Sequence, residues 1–64
     1  MPAEVDPIVM NLVHQLKTNG IAVVRTGDRR TTTAANKLLK EAADKAKVEI
    51  TTSKGENCRI AKVK

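Results

Sequence analysis

No Phe, Tyr or Trp occurs anywhere in these 64 residues. Aromatic side chains normally bring the largest single burials, so the core has to be assembled from Val, Ile, Leu, Ala and Met. A chain of this length makes one domain. It buries only about 60% of its unfolded surface. A monomer is therefore expected to hold a few kcal/mol of stability at most. Either the chain stays marginal and monomeric, or it gains apolar burial as a homodimer or on a partner.

The aliphatic residues fall into blocks with readable periods. Asp6-Pro7 is a helix start, with an Asp cap before a Pro suited to the first helical position. Val5, Ile8, Val9, Leu12, Val13 and Leu16 then recur at spacings of three and four. Gly20 supplies the stop. This predicts a helix over 6–19. Ile21-Ala22-Val23-Val24-Arg25 is β-branched and apolar and reads as a strand. Thr26 to Arg30 reads as a loop, and Thr31-Thr32-Thr33 offers caps for a second helix. That helix is predicted over 32–47, with Ala35, Leu38, Leu39, Ala42, Ala43 and Ala46 on its apolar face. Val48 to Thr52 alternates as a strand, Ser53 to Asn57 reads as a turn, and Cys58 to Val63 closes a hairpin.

The expected fold is a small two-layer α/β (α+β) domain of order α-β-α-β-β, spanning 1–64, with two helices on a three-stranded sheet. The second crossing is either a parallel crossover or places the fourth element beyond its hairpin partner. The alternative is a winged helix-turn-helix, with two short helices and a turn inside 26–47. Gly27-Asp28-Arg29-Arg30 and the triple Thr make a poor first helix, so one long helix fits better. From Val23-Val24 through Ala35 and on into the hairpin, the chain resembles the Alba family of small basic nucleic-acid proteins. Those proteins run strand, short Gly/Arg loop, helix, hairpin. The resemblance covers the second half of the chain, lacks that family's first strand, and implies architecture only.

The net charge of +5 is unevenly spread. Residues 1–20 hold Glu4, Asp6 and Lys17. Residues 21–64 hold eleven Lys/Arg against five acids. Nucleic acid is the commonest large anion for such a surface. The loop Arg25–Thr33 precedes a helix N-terminus, where free amides and the dipole favour an anion. Arg29 and Arg30 suit forked hydrogen bonds to phosphate, and Thr31 adds a hydroxyl. Lys54, Arg59, Lys62 and Lys64 form a second basic group on the hairpin and tail. Single-strand binders stack bases on aromatic rings, which this chain lacks. Contacts to a duplex backbone are expected, DNA ahead of RNA, through Arg25, Arg29, Arg30, Thr31, Lys54, Arg59 and Lys62.

Nothing in the sequence points to catalysis. His14 is the only His and Cys58 the only Cys, so a zinc site has too few ligands and no disulfide forms within the chain. Gly27 and Gly55 are isolated, so there is no phosphate loop. No cofactor is expected. No apolar run reaches membrane-spanning length, and no secretory leader is visible. The chain reads as a complete small reading frame with a cytoplasmic location. The competing functional reading is a protein-interaction module, such as a phage- or plasmid-type modulator of a host protein. Its interface would be the sheet face or the first helix, and its charge would steer it to an acidic partner.

Overall fold

A computed structural model describes residues 6–27 and 31–64 of the chain. Helix α1, Pro7–Asn19, starts as its cap requires: the Asp6 carboxylate accepts the Ile8 N–H at 2.9 Å. Gly20 ends it at φ 73°, donating its N–H to the Leu16 carbonyl at 3.0 Å. The buried stripe is Val9, Leu12, Val13 and Leu16. It is narrower than expected, because Ile8 is exposed and Val5 lies outside the described residues.

Strand β1 is Ile21–Arg25, and helix α2 is Thr32–Ala46. The Thr31 hydroxyl caps α2 by accepting the Ala34 N–H at 3.1 Å. At the far end Lys47 takes the left-handed conformation, φ 60°. Its N–H donates to the Asp44 carbonyl, and the Val48 N–H donates to that of Ala43 at 3.1 Å. These are the paired bonds of a Schellman end, with Lys where Gly is usual. A Cβ in that conformation costs about 1 kcal/mol. Lys47→Gly is therefore expected to stabilise the domain by about 1 kcal/mol, read from the urea midpoint. An unchanged midpoint would refute that assignment of strain.

The Schellman end also corrects one strand boundary. Strand β2 is Ile50–Gly55, starting two residues later and ending three later than the alternation suggests. Val48 belongs to the helix end, and the polar run Thr51–Lys54 carries the ladder. Strand β3 is Cys58–Val63. The two are joined by Glu56-Asn57 alone, with Asn57 at φ 55°. Gly55 faces Cys58 across the ladder, and a Cβ on it would lie 2.5 Å from Cys58 Sγ.

The sheet order is β1-β3-β2, antiparallel throughout. β1 and β2 thus run parallel with β3 between them, a split β-α-β arrangement. Of the two crossings open from sequence, β2 takes the one beyond its hairpin partner. One helix lies between β1 and β2, so the winged helix-turn-helix alternative is set aside. Both helices cover one sheet face, where Ala22, Val24 and Ala61 are buried. Leu39 and Val9 are the largest fully buried side chains. α2 lies over β3 and β1 and only lightly over β2.

Candidate nucleic-acid interface

The strand register decides which basic residues meet. Arg25 pairs with Cys58, and Cys58 pairs with Gly55. Just past these rows the Thr26 N–H donates to the Asn57 carbonyl at 2.8 Å. The chain leaving β1 is thereby stitched to the hairpin turn. Arg25, Lys54 and Arg59 share this end of the sheet, and α2 reaches it through Asn36, which lies five residues after Thr31 and bonds Arg59.

Their settings differ. Lys54 and Arg59 are directly opposed across β2 and β3, on the face that carries the helices. Arg25, opposite Cys58, points to the other face and is exposed. Arg59 is half-buried and committed: its Nε donates to Asn36 Oδ1 at 2.9 Å, and Nη2 donates to Thr52 Oγ1 at 3.1 Å. A guanidinium has five N–H donors, so three remain for a ligand. Like charges directly opposed in a sheet are unfavourable, and an anion placed at Lys54 and Arg59 lowers that repulsion. The ion pair among the described residues, Lys64 with Glu49 at 3.8 Å, sits at the opposite end of the hairpin.

Thr31 is exposed. Its oxygen accepts the cap bond, which leaves its hydroxyl proton to donate. Lys62 pairs with Ile21 at the far end of β1 and β3, on the open sheet face. Four residues of strand, about 13 Å, separate its row from that of Arg25. Lys62 therefore does not join the cluster. Arg29 and Arg30 lie outside the described residues.

Three features escaped the sequence reading. Asn36 holds Arg59, although nothing in the helical pattern distinguished it from its polar neighbours. Gln15 accepts the outward Val23 N–H of β1 at 3.4 Å. A groove of about 420 Å³ runs between α2 and β2, floored by Ala43, Val48 and Ile50. The signal for the groove was the apolar pair Val48 and Ile50 at the start of an edge strand.

Cys58 is free and half-buried on the open face, while His14 is exposed on α1, in the helix layer. The sheet stands between them, so they form no catalytic pair. Among the described residues, no three His, Cys, Asp or Glu side chains are grouped to hold a metal, and no helix is long and apolar enough to cross a membrane. Comparisons with protein-family models, curated proteins and solved structures found no match to this chain.

Proposed function

We propose that this protein is a non-enzymatic module that binds nucleic acid, duplex DNA in the first instance, through phosphate contacts. The observation that carries the reading is the strand register, which sets Lys54 opposite Arg59 and Arg25 one row further on, at the end of the sheet closed by the Thr26–Asn57 bond. Lys54 and Arg59 address phosphate from the helix side, and Arg25 reaches from the open side. Arg29 and Arg30 belong to the same loop in sequence and extend the proposed interface. With no aromatic ring to stack on, affinity comes from charge and is weakly sequence-dependent.

Fluorescence anisotropy against a random-sequence duplex tests this. Binding is expected at low salt and to weaken steeply as salt rises. Arg25→Ala combined with Lys54→Ala should lower affinity about tenfold on every sequence and flatten the salt slope by about two ions. No binding at low salt, or a double variant with the parent slope, would overturn the assignment.

A second reading rests on the open sheet face. Val23 is 43% exposed there, beside half-buried Ile21, Ile60 and Cys58, with Arg25 and Lys62 at its ends. An apolar patch between cations suits an acidic protein partner, such as a host protein. A stoichiometric partner retained from nuclease-treated lysate at high salt, and lost with Val23→Asp, supports that reading.

A further inference from the structure

We infer that the β2 edge is a homodimer interface, in which two copies join their sheets through antiparallel β2–β2 pairing. The ladder sets which groups are free. The Lys64 N–H donates to the Glu49 carbonyl at 3.0 Å, so the odd positions of β2 bond to β3. In an antiparallel pair this alternates, and Ile50, Thr52 and Lys54 turn both N–H and C=O away from the sheet. The edge carries no Pro and no bulge, and its one charge, Lys54, stands at the end of the strand beyond the uncharged run Thr51-Thr52-Ser53. The other edge is different: Gln15 already occupies the outward N–H of Val23 on β1.

The three outward positions allow one register that uses them all. Thr52 meets Thr52 on a two-fold axis, and Ile50 meets Lys54 of the second copy. Side chains at 50, 52 and 54 lie on the helix side, so each Lys54 then extends over the partner's Ile50 towards the α2–β2 groove. Lys40, Asp44, Glu49 and Lys64 line that groove; Glu49 is already paired with Lys64, so the carboxylate that meets the incoming cation is that of Asp44. Each copy thus offers a cation to the other's carboxylate and covers a half-buried Ile50. The chain has reason to gain such burial, because six of the twelve buried apolar residues among those described are Ala. A core of that kind leaves a small domain short of stability.

Phosphate binding and dimerisation both draw on Lys54, so the test leaves Lys54 in place and contains no DNA. Sedimentation equilibrium of the full chain should show a monomer–dimer equilibrium. The chain is short enough to synthesise with an N-methyl amide at Thr52. That removes one outward N–H while keeping the side chain that binds Arg59, and should weaken the dimer about 100-fold. Asp44→Lys should weaken it about tenfold without weakening DNA binding. Far-UV circular dichroism checks that each variant is folded. A parent that is monomeric at millimolar concentration overturns the inference. So does a dimer that survives N-methylation undiminished, which would place the contact on another face. A dimer weakened by both changes supports it.

Discussion

Leu39→Ala is expected to abolish cooperative unfolding of this domain. Leu39 is fully buried in α2, where the other buried residues of the helix are Ala35, Ala42, Ala43 and Ala46. A Leu→Ala change in such a setting costs about 2–5 kcal/mol. That equals or exceeds the few kcal/mol that a core of this size supplies. With no aromatic residue to report by fluorescence, the measurement is far-UV circular dichroism in a urea titration. The parent should show one transition, and the variant a sloping signal without a midpoint. Leu38→Ala, one residue away and half-buried, should keep a transition at lower urea. Equal midpoints for the parent and Leu39→Ala would mean that the stability resides elsewhere, in the hairpin or in association between copies.

The helices and β1 were legible because their signals are local. Caps at Asp6 and Thr31, the stop at Gly20 and the three/four spacing all act within a turn or two of the residues concerned. β2 was less legible. Val48 is as β-branched as a strand residue can be, yet its N–H closes the helix, and that competition appears only once Lys47 turns left-handed. The strand order was not readable either, since it depends on which neighbour β3 meets across 30 or more residues of chain. For the interface, residue type was readable and placement was not. Lys54, Arg59 and Lys62 look alike as a basic hairpin. Strand alternation puts Lys62 on the opposite face from the other two, and the register puts it at the other end.

Arg59→Ala is the prediction in which fold and interface meet. The change removes the Asn36 and Thr52 bonds, leaves the part-buried Asn36 carbonyl oxygen without its donor, and strips an aliphatic stem from the sheet face. It also relieves the repulsion with Lys54, which offsets a fraction of the loss. The net cost should be about 1–2 kcal/mol. Arg59→Lys should recover little of it, because an ammonium on a flexible stem cannot reproduce the fixed fork between Asn36 and Thr52. Asn36→Ala should cost somewhat less. Because the two residues share one bond, the double variant should be less damaging than the sum, with a coupling of about 1 kcal/mol. Strict additivity in urea titrations would sink the claim that Asn36 holds Arg59. The same variants divide the roles of the guanidinium in DNA binding. Asn36→Ala keeps the cation and loses its positioning, whereas Arg59→Ala loses both. If phosphate is held by the donors that Asn36 and Thr52 leave unused, Arg59→Ala must weaken duplex binding at a temperature where it is folded, and Asn36→Ala must weaken it less. If neither weakens binding, Arg59 is a structural tie between α2 and the hairpin, and the proposed phosphate contacts fall to Arg25, Lys54 and the loop that joins β1 to α2.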